Sequence, residues 1–275
     1  MTSNDIKSMQ LYPRAERILV DLAHSGFPGE APVPVEVLNQ FDQLHYHGTD
    51  ALDVAIKACG IKPGQKILEI GAGWGGCARY ISQVSGAHVT AVELQADYHA
   101  VGKALTERAG LSDEVTHVNA DFLNWSAPPG GFDHLVSWLA LFHIPKRTEY
   151  LSRIVAALKP GGTLFVEDLY EIAPPPAKEM EDFKAHLFPN SLDPLHEYKS
   201  SLTRVGLELL SLEDMTTNWT SLTADRLSAF RKNRRNYEAI HGPDGYKTIE
   251  TFYTKMADYF SRSLVGGLRL HTRKL

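Results

Sequence analysis

The stretch Ile67-Leu68-Glu69-Ile70-Gly71-Ala72-Gly73-Trp74-Gly75-Gly76 decides the fold. Its first four residues form a short apolar run of the kind found in a buried strand, and a helical pattern begins at Trp74, so the glycines fall in a strand-to-helix turn. Gly71 and Gly73 permit backbone angles and a close ligand approach that a side chain would block, while the helix start presents free N–H groups. Gly71, Gly73 and Gly76 also satisfy the dinucleotide fingerprint G-x-G-x-x-G. Glu93, closing the next strand about 20 residues later, suits a ribose-hydroxyl acceptor whichever nucleotide cofactor is bound.

Working outward, apolar strands alternate with amphipathic helices from Lys66 to Glu167: KILEI, a helix from Trp74, AHVTAVE, a helix over 96–109, VTHVN, FDHLVSW, a helix from Lys146 to Leu158, and TLFVED. This alternation implies βαβ units, a parallel sheet and right-handed crossovers with helices on both faces. The expected fold class is α/β: a Rossmann-like doubly wound sheet of mostly parallel strands with an antiparallel last strand, a helical N-terminal lid and a C-terminal cap. Upstream, helical spacing over 13–25 and 49–59 flanks the Pro- and Gly-rich stretch Phe27 to Pro34. Downstream, the prolines at 174–176 break any helix; a helix over 194–205, the strand LELLSLEDMT, helices over 221–240 and 245–262, and the strand-like VGGLRLHTRKL follow. The division is therefore a helical cap over 1–60, a cofactor-binding core over 61–168, and the remaining strands with a helical substrate cap over 169–275, all in one structural unit. Residues 169–200 and 218–262 should cover the carboxyl edge of the sheet, where open α/β sheets bind ligands.

Bulk properties exclude several classes. With 43% hydrophobic and 22% charged residues, the 275-residue chain is an ordinary globular protein. A net charge of -5 leaves no basic footprint for nucleic acid, and the run Arg231, Lys232, Arg234, Arg235 reads as a solvated helix face. Cys59 and Cys77 have neither disulfide-framework nor metal-ligand spacing, and no His, Cys and carboxylate cluster suggests a metal. MTSNDIKSMQ lacks a signal-peptide core and no stretch reaches the ~20 apolar residues of a membrane helix, so a cytoplasmic location is expected.

Three features outside the glycine loop distinguish the cofactors. Glu69 precedes the loop in the form E-x-G-x-G-x-G, Asn119-Ala120-Asp121-Phe122 follows the third strand, and Leu158-Lys159-Pro160-Gly161-Gly162-Thr163-Leu164 leads into the fifth. In these the chain resembles the class I S-adenosylmethionine-dependent methyltransferases. The resemblance implies a cofactor site of Glu69, Gly71, Ala72, Gly73, Glu93, Leu94, Asp121, Phe122 and Ser137, with the two glycines beneath the methionine part, Glu93 on the ribose hydroxyls and Asp121 on the adenine amine. Carboxylates are good acceptors for hydroxyl and amine donors.

Within that class the chain resembles the branch containing sarcosine/dimethylglycine and phosphoethanolamine methyltransferases, through Asp42-Gln43-Leu44-His45, VSWLALFHIPKR and the C-terminal cap. The resemblance implies a lid over the cofactor carrying Gln43, His45, Tyr46 and His47. It also implies a histidine, His143, at the methyl-transfer cleft, as a base or as a partner orienting the acceptor. The branch carries an acidic residue four positions before that histidine; this chain has Leu139. The expected catalytic residues are His143, His45, Tyr46 and His47, and the expected acceptor contacts are Gln43, Trp138, Tyr170 and Trp219, whose aromatic faces suit a cationic product.

The expected reaction is methylation of a small polar metabolite, first at the nitrogen of an amine or amino acid, with sulfur or oxygen as alternatives. The only partner expected is that small-molecule acceptor. Because the sulfonium is already activated, alignment contributes much of the acceleration and no Lewis acid is required. The rival readings are a nicotinamide-dependent oxidoreductase, disfavoured by Asp121 and the LKPGG turn, and a non-catalytic cofactor-binding module, disfavoured by the intact loop together with His143.

Overall fold

The structure, a computed structural model, describes residues 15–275. The start of the helix expected over 13–25 and the first fourteen residues of the 1–60 cap, the stretch MTSNDIKSMQ among them, lie outside the described residues. The first elements are α1 (Arg17–His24), the short α2 (Val35–Leu38) and α3 (Thr49–Cys59). The alternating core follows: β1 (Lys66–Ile70), α4 (Gly76–Ser85), β2 (His88–Glu93), α5 (Ala96–Arg108), β3 (Val115–Asn119), β4 (Phe132–Trp138), α6 (Arg147–Ala157) and β5 (Leu158–Glu171). The remainder comprises α7 (Met180–Leu187), α8 (Leu195–Arg204), β6 (Leu207–Asp214), α9 (Thr216–Lys232), α10 (Arg234–Ser261) and β7 (Val265–Lys274).

The seven strands form one sheet in the order β3-β2-β1-β4-β5-β7-β6. β1 to β5 pair in parallel, whereas β7 runs antiparallel to both β5 and β6, as the sequence pattern suggests. The strand order reverses direction between β1 and β4, the switch point where doubly wound sheets open a crevice at their carboxyl ends. Register aligns those ends, with Ile70 opposite Val92, Glu93 opposite Asn119, and Trp138 opposite Glu167. Ile67, Leu68 and Ile70 are buried between the helical layers, each stabilising the fold by roughly 1.5–3 kcal/mol.

Three details depart from the sequence reading. α2 and α7 are short helices within stretches that carry Pro or Gly signals nearby, and periodicity gives little warning of them. The break expected between the helices over 221–240 and 245–262 is present at the non-helical Gly242 (φ 77°) before Pro243, inside α10, but the first of those helices is itself interrupted near Asn233, where α9 ends and α10 begins. β5 begins at Leu158, so the LKPGG turn belongs to the strand and enters it through a register shift opposite β4.

The segment leading to α3 is tied to the core by a buried ion pair. Arg79 of α4 donates to Asp42 at 2.9 Å with both side chains fully inaccessible, and also to Gly102 O and Thr106 Oγ1. Gly76 has no room for a Cβ, which would lie 2.7 Å from Asp42 Cγ. Removing one member of such a pair costs about 3–5 kcal/mol, because the other charge is left buried alone. Asp42 therefore acts as an anchor for the segment carrying His45 to His47. The Arg231, Lys232, Arg234, Arg235 run is exposed at the α9–α10 junction, with Arg231 and Arg234 paired to Glu250 and Glu238. No helix among the described residues is long and apolar enough to cross a membrane.

Candidate active site

A cavity of about 640 Å³ opens at the carboxyl edge above the switch point. Its first half comes from the ends of β1, β2 and β3. Gly71 (φ 76°) and Gly73 (φ 54°) take left-handed conformations that L side chains rarely adopt, and a Cβ on Gly71 would lie 2.3 Å from Ala140 Cβ. With no side chain at either glycine, the loop's backbone forms the cavity wall there. Glu93 is fixed by the same loop, since Gly73 N donates to its Oε2 at 2.8 Å and Gln95 N to its Oε1 at 2.7 Å. Burial pushes its carboxyl up, opposed by these backbone donors. Asp121 accepts from Leu123 N at 3.0 Å and Asn124 Nδ2 at 2.7 Å, which holds its carboxylate at the cavity wall.

The second half comes from the ends of β4 and β5, the lid segment and α7, α9 and α10. The chain leaves β4 through Leu139 in a left-handed conformation (φ 52°) and turns one short helical loop, Leu141–His143. Asp168, fully buried beneath this loop, accepts from Phe142 N at 3.4 Å and from the Tyr198 hydroxyl at 3.2 Å. His143 lines the cavity, and its Nδ1–H donates to Phe188 O at 3.0 Å, which leaves Nε2 as the accepting nitrogen. Burial lowers its pKa to about 4, with the Phe188 bond opposing, so the imidazole is neutral near pH 7. Tyr46 also lines this half, its ring 4.8 Å from that of Trp219.

The expected site residues divide accordingly. Gly71, Gly73, Glu93, Leu94, Asp121, Phe122, Tyr46, Trp138 and His143 line one cavity. Glu69, Ala72 and Ser137 do not; they support it from behind. Ser137 Oγ donates to Ile70 O at 2.8 Å, Ala72 N to Val92 O at 3.0 Å, and burial raises the Glu69 carboxyl to about 8. His45 is buried against Trp138, bonded to Tyr46 O and to Gln43 Oε1, so both residues brace the lid instead of lining the cavity. Burial lowers the His45 pKa to about 4.

Three further expectations, beyond those for Glu69, Ala72, Ser137, His45 and Gln43, need correction. His47 turns away to Asn218 Oδ1 at 2.5 Å, because its left-handed backbone (φ 62°) reverses the lid at Gly48. Tyr170 bonds Asp214 and Thr216 under Gly266, where a Cβ would lie 2.3 Å from its ring, and Trp219 is fully buried against Gly267. Tyr170 packs in the core on the α6–α8 face of the sheet, Trp219 in the core between the opposite face and the α9–α10 layer, and both lie outside the cavity lining. The sequence reading missed Thr223 and Arg226 on α9, and Phe252, Tyr253 and Met256 on α10. Their i, i+3 and i, i+4 spacing fits one inward helical face, but only the fold shows which surface that face meets.

The family described as mycolic acid cyclopropane synthetase matches residues 39–267. The chain belongs to this family. Among relatives of this member, the sterol 24-C-methyltransferase ERG6B of Gibberella zeae is 31% identical over 211 residues, covering 66% of the chain and 54% of the relative. Phosphoethanolamine N-methyltransferase 1 of Zea mays is 26% identical over 205 residues, covering 74% of the chain and 40% of the relative. The family member thus spans about half or less of these relatives' lengths. Haemonchus contortus phosphoethanolamine N-methyltransferase 2, in complex with S-adenosyl-L-methionine, superposes with TM-score 0.79 at 19% identity over all of the chain and 60% of that structure. That likeness is one of fold: the family member has the class I methyltransferase architecture.

Proposed function

We propose that the chain is an S-adenosylmethionine-dependent methyltransferase acting on a small molecule, first at the nitrogen of an amine or amino acid. The observation that carries this reading is the single cavity joining the glycine loop, Glu93 and Asp121 to His143. The glycine loop, made accessible by Gly71 and Gly73, would hold the amino-acid part of the cofactor, and Glu93 and Asp121 would accept from its ribose hydroxyls and adenine amine. When bound, the cofactor supplies an electrophilic methyl group on a sulfonium.

The chain's own residues then have to present a neutral lone pair in line with that methyl. His143 Nε2 accepts a hydrogen bond from the acceptor's N–H and so turns the lone pair away from itself. Its pKa of about 4 makes it a positioning group more than a strong base. Leu139, Phe142 and Leu169 exclude water, and such burial pushes an amine toward its unprotonated, nucleophilic form. The same apolar wall supports a second reading, a thioether acceptor, which has no proton to donate and gains nothing from His143.

In this scheme residues 1–60 form the lid, 61–168 the cofactor-binding core and 169–275 the acceptor cap with the remaining strands. We place the enzyme in the cytoplasm, its partner being the small molecule it methylates. Incubation with methyl-labelled S-adenosylmethionine and a metabolite extract should yield one labelled small molecule and S-adenosylhomocysteine. Binding of NADH with no uptake of S-adenosylmethionine would overturn the reading.

A further inference from the structure

The two halves of the cavity carry opposite charge. Glu93, Asp97 and Asp121 line the side formed by the ends of β2 and β3, whereas the acceptor side holds Arg226. Arg226 Nη2 donates to His45 O at 3.1 Å, and its guanidinium lies 5.2 Å from the centre of the Tyr46 ring and 5.9 Å from that of Tyr253. No carboxylate among the described residues pairs with it. By contrast Arg79, Arg147, Arg262 and Arg269 each meet an acid at 2.9 Å or less. Two aromatic faces and one carbonyl hold the group in place and leave most of its five donors uncommitted. Its positive field reaches the cavity wall, where it helps lower the His45 pKa and opposes the rise of the Tyr46 phenol.

We propose that Arg226 is an anion-binding residue of the acceptor site, so that the methyl acceptor carries a carboxylate or phosphate group attached to an apolar body. The proposal rests on the methyltransferase reading of this cavity and names its substrate class. A fixed guanidinium fork matches the two oxygens of a carboxylate or phosphate, and an apolar surround strengthens the attraction by excluding water. Phe252, Met256 and Leu187 line the same side and supply the surface for the apolar body. A purely cationic acceptor meets Arg226 and Leu139 where it would need a carboxylate, so a free alkylamine is a poor fit. An amine or thioether that also bears an acid group satisfies both the arginine and the apolar wall.

Titration calorimetry on protein saturated with S-adenosylhomocysteine tests this with octanoate, octyl phosphate and octylammonium. At least one anion should bind saturably, at least ~10-fold tighter than octylammonium, and preference between the two anions identifies the carboxylate or phosphate form. Arg226→Met should weaken anion binding by at least ~10-fold while Arg226→Lys retains most of it, with S-adenosylhomocysteine affinity kept in both. Octylammonium binding as tightly as the anions, no saturable anion binding, or an Arg226→Met protein that binds anions like wild type would each overturn the anion site. The ligand comparison on wild type stands even if a variant fails to fold. Failure of wild type to bind S-adenosylhomocysteine would remove the methyltransferase reading itself, a different result from normal cofactor binding with no anion preference.

Discussion

On the β1–β2–β3 side of the cavity the ligand-facing groups are backbone turns and carboxylates placed directly at strand ends: Gly71, Gly73, Glu93 and Asp121. On the β4–β5 side they come from positions as distant as Tyr46, His143, Arg226 and Met256, brought together by a lid, a short helical loop and two long helices. The first arrangement depends on local geometry that tolerates almost no substitution. The second depends on tertiary packing and can vary while the sheet stays the same. Substitutions in the two halves should therefore fail differently.

The largest effect is expected on the first side. Gly73→Val forces a β-branched residue to φ 54° and puts its Cβ 3.3 Å from Leu44 Cδ1. S-adenosylhomocysteine affinity should fall by ~100-fold or more by calorimetry, with the far-ultraviolet circular dichroism of a folded chain. Unchanged affinity would break the comparison at its stronger end. Next comes Trp219→Ala, which should cost about 3–5 kcal/mol in denaturant unfolding because it empties a core position. If Trp219 instead touched the acceptor, KM would rise with little loss of stability.

A smaller effect is expected from His143→Ala: a fall in kcat of ~10–100-fold with cofactor affinity retained, the size of a lost orienting contact. Wild-type kcat should show no inflection assignable to His143 between pH 5 and 8, since that group titrates near pH 4. An inflection near pH 6.5 that disappears in the variant would show a solvated base instead. A loss too small to measure would favour the thioether acceptor.

The smallest effect concerns Asp168, which holds the loop carrying His143. Burial raises its carboxyl to about 7, opposed by Arg147 and by donors including Phe142 N and Tyr198. Between the ordinary carboxylate range and pH 7 the folded chain keeps a proton that the unfolded chain has released, so this group's contribution to stability is lost as pH rises through that window. His45 and His143, held near 4, act with the opposite sign between pH 4 and 6.5. Comparison of wild type with Asp168→Asn isolates the aspartate. The difference in Tm between pH 5 and pH 8 should change by a few degrees, the variant losing less on going to pH 8. Parallel curves would show that Asp168 is ionised throughout.

The same contrast explains what could be read in advance. The sheet, its crossovers and the antiparallel return were legible because strand and helix periods alternate cleanly from Lys66 to Glu167, and Gly71, Gly73, Glu93 and Asp121 fall at fixed offsets from those strands. Arg226 was not legible: in Ala224-Asp225-Arg226-Leu227 it resembles any charged residue on a helix. Tyr170 and Trp219 misled because a large aromatic near the carboxyl edge fits a ligand wall or a core equally well, and only Gly266 and Gly267 beneath them decide. His47 was misplaced by a backbone reversal that its sequence does not announce.

The path of the chain around α9 and α10 has a further consequence. The helices leave the sheet after Asp214 and return at Val265, and Asp214 sits opposite Leu268 in the neighbouring strand, with Met215 N bonded to Gly267 O. The excursion of 50 residues, 215–264, thus starts and ends on neighbouring strands roughly 5 Å apart, with Val265 only three residues from Leu268, the partner of Asp214. Such an excursion behaves as a cassette: its length and inner face can be exchanged without altering the register of β1 to β5. A lineage of these chains could acquire new acceptors by rewriting residues 216–261 alone, inheriting the methyl-donor half unchanged.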